Sequence, residues 1–330
     1  MKNILILQTG GTIQMEPSDQ GSTVEALFQL NSLHEELPEL SRIANIRTCS
    51  LFQEDSSNIY SEHWKEIILS LRDLYDDADG FVILHGTDTM AYTASAVSFA
   101  LCGLTKPVIF TGSQVPLRNI RSDARRNLIN AVELATYNIP EVAICFNDRL
   151  YRANRSTKIS IGDFDAFASP NFQHLADIGV TISIADIYGK QHSEPEFFTD
   201  FKDAVHLIKL YPGLRPDNLN ICDNPEIQAI VVESFGTGNF PVNGSNSLLP
   251  FLENCTRAGK FVAVTSQAVY DSVKLETYEG GRKALSFGVL SAGDMTTEAC
   301  LTKLMYLLGK YSDPQKIKHQ FQIPLCGEMS

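Results

Sequence analysis

Short runs of consecutive apolar residues alternate along this chain with longer stretches whose apolar positions recur at helical spacing. Residues 4–7, 81–84, 108–110 and 142–146 are almost wholly apolar and of strand length, the pattern of strands buried on both faces. Between them, residues 62–74 place Trp64, Ile67, Ile68 and Leu71 on one helical face. Residues 88–101 form an Ala- and Met-rich helical stretch, and 122–137 set Leu128, Ala131, Val132 and Ala135 at i, i+3, i+4 and i+7. From 188 to 212 the pattern weakens: residues 191–196 are polar and Tyr211-Pro212-Gly213 is a turn signal. The alternation then resumes, with strands predicted over 227–232 and 261–264, a helix over 247–255 between them and another over 296–308. Strands alternating with helices imply parallel pairing with helices on both sheet faces. The expected fold is α/β: a larger N-terminal parallel-sheet domain over 1–187, a connection over 188–212 and a smaller C-terminal α/β domain over 213–330.

The length of 330 residues agrees with two domains, and a hydrophobic share of 44% suffices for two cores. A net charge of −12 argues against nucleic acid or an anionic membrane as partner, because both are held by clustered Lys and Arg. The N-terminus lacks the long apolar stretch and small-residue cleavage site of a secretory signal. No apolar run approaches the ~18–20 residues that span a bilayer. The 7 cysteines are widely spaced with no Cys-x-x-Cys pair, and Cys102 and Cys145 sit in apolar sequence. These features lead us to expect a cytoplasmic protein without disulfides or a cysteine metal site. The histidines show no metal-ligand spacing.

In a parallel sheet, ligands bind outside the carboxyl ends of the strands, so the residues following each strand are the candidates for chemistry. After the first strand comes Thr9-Gly10-Gly11-Thr12-Ile13, where two glycines allow a sharp turn that presents the Thr12 hydroxyl. It is neither a dinucleotide fingerprint nor a P-loop. The second strand is followed by His85-Gly86-Thr87-Asp88-Thr89. There Asp88 or Thr89 is a natural helix N-cap, while Thr87 and Asp88 offer a hydroxyl and a carboxylate; His85 reads as structural. After the third strand, Gly112-Ser113-Gln114-Val115-Pro116 forms a loop able to touch a ligand. The fourth is followed by a basic run, Arg149, Arg152, Arg155 and Lys158, which as a charge run reads as a solvated face. Lys158, however, lies among small hydroxyl residues. Held near a carboxylate and away from water, such a lysine can activate a threonine.

Taken together, residues 9–13, 85–90, 112–116, 121–123 and 157–158 resemble the bacterial-type L-asparaginase family. The stretches 147–151 and 164–171 point to its cytoplasmic, type I branch, and 234–239 and 292–301 extend the likeness into the second half. The resemblance implies a hydrolase that converts L-asparagine and water to L-aspartate and ammonia without metal or cofactor. On the matching motifs, Thr12 is the expected nucleophile, and Thr87, Asp88 and Lys158 a second hydroxyl–carboxylate–amine set. Asp55, Ser56 and Ser57 match the segment that holds the substrate's α-carboxylate and ammonium, and Asp88 also pairs with that ammonium. Ser113 is a further substrate-binding candidate. Asn239 matches a position reaching a neighbouring subunit's active site, so a homodimer or homotetramer with active sites near the intimate interface is expected.

Three positions depart from the family pattern. The tyrosine expected on the lid after the first motif is replaced by Ser22, and no tyrosine occurs between Thr12 and Tyr60; Tyr270 and Tyr278 are the candidate substitutes. Gln14 stands where a third small residue is common. Glu233 stands where an arginine supports an effector site in some type I members, so no asparagine-driven cooperativity is expected. The missing tyrosine motivates the alternative of an amino-acid-binding or sensing protein with weak or no turnover. A third reading, the asparaginase-like subunit of a tRNA-dependent amidotransferase, fits poorly with an acidic chain whose first motif lies so near its start.

Overall fold

The structure is a computed structural model that describes residues 1–14, 33–186 and 195–330. It divides into two compact units, Met1–Thr199 and Asp200–Ser330.

In the first unit the chain runs β1 (Asn3–Gly10), α1 (Leu33–Glu36), α2 (Leu40–Ile43), β2 (Asn45–Glu54), α3 (Ser61–Leu74), β3 (Gly80–Leu84), α4 (Met90–Ala100), β4 (Val108–Thr111), α5 (Ala124–Leu134) and β5 (Val142–Phe146). Five short strands follow: β6 (Arg149–Arg152), β7 (Thr157–Lys158), β8 (Phe167–Ala168), β9 (Ala176–Ile178) and β10 (Ile182–Ile184). The main sheet has the order β10-β9-β6-β5-β4-β3-β1-β2. Its half from β2 to β5 is parallel throughout. The chain passes from β1 outward to β2 and then returns across β1 to β3, so the strand order reverses at β1, where an open parallel sheet leaves a crevice.

Alternation of side chains divides the core. Ile4, Ile6, Val82, Leu84, Ile109, Ala143 and Cys145 share one face and pack with Leu128, Ala131 and Val132 of α5 and Leu40 of α2. Against the sheet also lies α4, in contact with β5 and α3. Ten of its eleven residues are buried, as its nearly uniform apolar sequence requires.

The sheet is not parallel to its far edge, as the sequence pattern had implied. Asn147, at φ 54°, reverses the chain directly after β5, and β6, β9 and β10 add antiparallel strands. That reversal also changes the basic run from a solvated face to largely interior side chains. Arg152 is buried, its guanidinium 2.6 Å from Glu141 and stacked 4.4 Å over the Phe172 ring, and Arg155 is buried beside the same ring.

The second unit holds a parallel four-stranded sheet, β11 (Val205–Lys209), β12 (Ala229–Ser234), β13 (Phe261–Ser266) and β14 (Leu290–Ser291), in that spatial order. Four helices complete it: α6 (Leu249–Arg257), α7 (Glu279–Ser286), α8 (Thr297–Lys310) and α9 (Pro314–Phe321). Ile230, Val232, Val262 and Val264 form its core with Leu252 of α6 and Ala284 of α7. β11 lies inside the stretch read as a connection. It is an edge strand with little buried side chain, so its apolar signal is weak.

A second correction concerns the cysteines. Cys222 and Cys255 form a disulfide with Cα atoms 4.8 Å apart, joining the segment before β12 to α6. Thirty-three positions separate them, a distance over which spacing carries no pairing signal. Cys145 is buried and Cys102 half-buried, both as free thiols. Among the described residues no helix is long and apolar enough to cross a membrane.

Candidate active site

The site is built by close approach of strand-end backbones. Gly11 follows β1 at φ 87°, and a Cβ there would lie 2.5 Å from the Cα and N of Gly86, the residue that follows β3 and His85. A Cβ on Gly86 would in turn lie 2.7 Å from the Ser56 side chain. Only glycine permits both the left-handed backbone and this contact, so the turns after β1, β2 and β3 converge on one point. The hydroxyl of Thr89 strengthens the convergence by donating to the Ser56 carbonyl at 2.6 Å. Thr89 thus occupies the N-cap position of α4 without its side chain capping the helix, and the cap expected from sequence is not made.

Around that point lies a cavity of about 190 Å³ lined by Gly11, Thr12, Asp55, Ser56, Gly86, Thr87, Asp88, Gln114, Lys158 and Ile161. Thr12 opens a single 3-10 turn after the glycines, and its hydroxyl has no hydrogen-bond partner among the described residues. Lys158 arrives from the β7–β8 hairpin. Its ammonium group donates to Asp88 Oδ1 at 2.6 Å and to Thr87 Oγ1 at 2.8 Å, and its side chain is 15% exposed. The Thr87 hydroxyl donates onward to Gln114 Oε1 at 3.2 Å. Asp55 accepts from the Ser57 backbone and hydroxyl at 2.8 and 2.7 Å, and these bonds hold its carboxyl below the usual carboxylate range.

Six of the residues singled out from the sequence therefore share one cavity: Thr12, Asp55, Ser56, Thr87, Asp88 and Lys158. Ser57 contributes through Asp55. Ser113 is buried, and its hydroxyl donates to the Val115 carbonyl at 2.7 Å rather than lining the cavity. Asn239 belongs to the second unit, where its backbone pairs with Phe235 in a tight turn. Ser22 lies outside the described residues. Tyr270 and Tyr278 are exposed residues of the second unit. Glu233 bonds within the second unit to Lys209 at 2.9 Å and to Thr297 at 3.1 Å.

Sequence reasoning placed Gln114 only within a loop, yet its amide ties Thr87 to the Ser160 and Asp163 carbonyls, each at 3.2 Å. The loop after β4 is fixed by Asp123, a buried carboxylate that accepts from the Gln114 and Val115 backbone and from the Asn127 side chain. A glutamine one residue past a strand-end Gly-Ser was the available signal for Gln114. Its partners are 27 to 49 positions away and could not be read. Among the described residues no group of three or more His, Cys, Asp or Glu side chains is placed to hold a metal.

Comparison with known proteins bears on both units. Residues 3–187 match the family described as "Asparaginase, N-terminal", and residues 204–321 match "Glutaminase/Asparaginase C-terminal domain". The chain is 39% identical over 338 residues to L-asparaginase 1 of Escherichia coli K12, covering 100% of this chain and 98% of that protein. It is similar to the solved structure of L-asparaginase I from Vibrio cholerae, with 37% identity, a TM-score of 0.90, and coverage of 100% of this chain and 99% of that one. The thermostable L-asparaginase from Thermococcus kodakarensis superposes with a TM-score of 0.91 at 34% identity, covering 99% of each chain. Two family matches that together span both units, with full-length relatives well above 30% identity, place this chain in the asparaginase family.

Proposed function

We propose that this protein hydrolyses the side-chain amide of L-asparagine, giving L-aspartate and ammonia, with Thr12 as nucleophile. The observation that carries the reading is one small cavity holding a threonine hydroxyl with no partner among the described residues beside a Lys158–Asp88–Thr87 network. Thr12 Oγ1 attacks the amide carbon and gives up its hydroxyl proton, the tetrahedral intermediate collapses as that proton is delivered to the amide nitrogen, ammonia leaves, and a β-aspartyl ester remains on Thr12. Water, oriented and polarised by Thr87 and Lys158, then hydrolyses that ester to release aspartate and restore the hydroxyl. Backbone N–H groups of the converging turns stabilise the oxyanion in both halves of the reaction.

The zwitterionic end of the substrate needs opposite complements. Asp55 and Asp88 supply negative charge for its ammonium, and Ser56, with the backbone beside it, supplies donors for its carboxylate. Ser57 keeps Asp55 ionised and oriented. We assign Ser113 to shaping the loop rather than to direct contact. The family reading makes the enzyme a cytoplasmic homodimer or homotetramer in which Asn239 reaches a neighbouring subunit's cavity; light scattering at micromolar protein tests the assembly.

The primary test is ammonia release from L-asparagine, L-glutamine and D-asparagine, with wild type beside Thr12→Ala. The expected result is turnover of L-asparagine that falls by at least about 10³-fold in the variant, the scale of losing a covalent nucleophile. Equal turnover in both proteins would remove Thr12 from the mechanism. Binding of asparagine by wild type with no ammonia release would favour the sensing alternative.

A further inference from the structure

His85 is fully buried between β3 and the Gly86-Thr87-Asp88 turn, and it lines no part of the cavity itself. Its backbone is fixed, with the N–H donating to the Thr111 carbonyl at 2.9 Å. Its ring lies edge-on to Phe110, with centroids 5.9 Å apart. Nδ1 is 2.7 Å from the Gly86 carbonyl oxygen, whereas Nε2 is buried with no hydrogen-bond partner among the described residues. A carbonyl oxygen only accepts, so the Nδ1 nitrogen carries the proton. A second proton on Nε2 would be a buried donor without an acceptor among the described residues, and burial, with a smaller contribution from the nearby His63, lowers the His85 pKa to about 4.

The bonded carbonyl belongs to the Gly86–Thr87 peptide. That peptide is trans and planar, so its C=O and N–H point in opposite directions. The C=O points to the buried imidazole. The Thr87 N–H is therefore directed away from it and has no acceptor among the described residues, while Gly86 and Thr87 both line the cavity. Gly86 has no side chain with which to fix this plane, and a glycine-preceded peptide flips readily unless something holds its carbonyl.

Resting on the amidohydrolase reading above, we infer that His85 is a positioning residue: its neutral Nδ1–H clamps the Gly86 carbonyl and so aims the Thr87 amide N–H at the developing oxyanion. The clamp acts on the transition state, because a developing negative oxygen gains far more from a fixed N–H than a neutral amide oxygen does. Its loss lowers kcat and leaves KM nearly unchanged.

Three substitutions separate positioning from packing. His85→Asn keeps an N–H close to the Nδ1 position, His85→Gln moves it toward the Nε2 position, and His85→Leu fills space with no donor. With L-asparagine, kcat is expected to fall about 10- to 100-fold in the Gln and Leu variants, with KM within about threefold, and to recover most of its value in Asn. The imidazole nitrogen spectrum of uniformly 15N-labelled wild type, assigned with His85→Asn, should show the neutral Nδ1–H tautomer from pH 8 to pH 5. Equal kcat losses in all three variants, in step with their melting temperatures, would reduce His85 to a packing residue. An Nε2–H tautomer or an imidazolium at pH 7 would overturn the clamp whether or not the enzyme turns over. Absence of ammonia release from wild type overturns the amidohydrolase reading instead, and is distinguishable because the nitrogen spectrum does not depend on it.

Discussion

At the scale of single residues, His85 and Asp55 are groups at the site whose proton affinities the fold lowers, and both make the native state sensitive to acid. The imidazole goes from its ordinary 6.5 to about 4 by burial, and the Asp55 carboxyl goes down through its bonds from Ser57. In each case the unfolded chain binds a proton at a pH where the native protein does not, so stability falls as the pH falls. For His85 the window runs from about 6.5 down to about 4. For Asp55 it lies lower, beginning near 3.8, and the group is too exposed for a large effect. Urea unfolding at pH 7.5 and pH 4.5 should therefore show wild type losing roughly 2.5 kcal/mol more than His85→Asn across that interval. An equal loss in both proteins would show that His85 keeps its ordinary proton affinity in the folded state. Of the site residues, those with reactive groups just past a strand were legible from sequence. Gln114 and Asp123 were not, because their roles are defined by partners brought near only on folding.

Among the elements, the predicted ones that proved accurate are those with an unbroken signal. β5 falls on 142–146 as read, and α3 begins one residue before the predicted start, with Trp64, Ile67, Ile68 and Leu71 buried as expected. Besides β11 and the two-residue β14, the strands that escaped notice are β2, an edge strand with mixed side chains and no fully buried position, and the short antiparallel set after β5. Neither presents the apolar run that a doubly covered central strand must have. The turns between elements carry the chemistry, and their spacing depends on backbone contact. Gly11→Ala should cost at least about 1–2 kcal/mol from the left-handed backbone alone. It should also separate the Thr12 turn from Gly86, giving a loss of kcat/KM larger than the stability change explains. Activity close to wild type in a folded Gly11→Ala protein would show that the two turns tolerate separation.

For the whole molecule, each unit has its own core, and the C-terminal one carries two internal fasteners. Lys303 and Glu328, both with fully buried side chains, meet at 2.5 Å. The Lys303 ammonium group also bonds the Phe321 and Ile323 carbonyls, while the Glu328 carboxylate accepts from the Leu325 and Cys326 backbone, closing the C-terminal tail onto α8. The Cys222–Cys255 disulfide closes a loop of 33 residues, worth roughly 3–4 kcal/mol by restriction of the unfolded chain. Cys222→Ser should lower the unfolding free energy of the oxidised protein by about that amount and remove any effect of added reductant. If reductant leaves the wild-type unfolding curve in place and free-thiol counting finds every cysteine reduced, the cross-link is absent in solution.

Sequence alone determined the α/β class, the order of the central strands' turns and the reactive residues placed on them. Local periodicity and the need for small, polar residues at strand ends are written in neighbouring positions. Tertiary structure alone decided which turns meet, that Arg152 and Arg155 are interior, that Cys222 finds Cys255, and that His85 holds the Gly86 carbonyl. Those are pairings between residues held together by packing or by a single peptide's orientation, and no local pattern of apolar and polar residues encodes them.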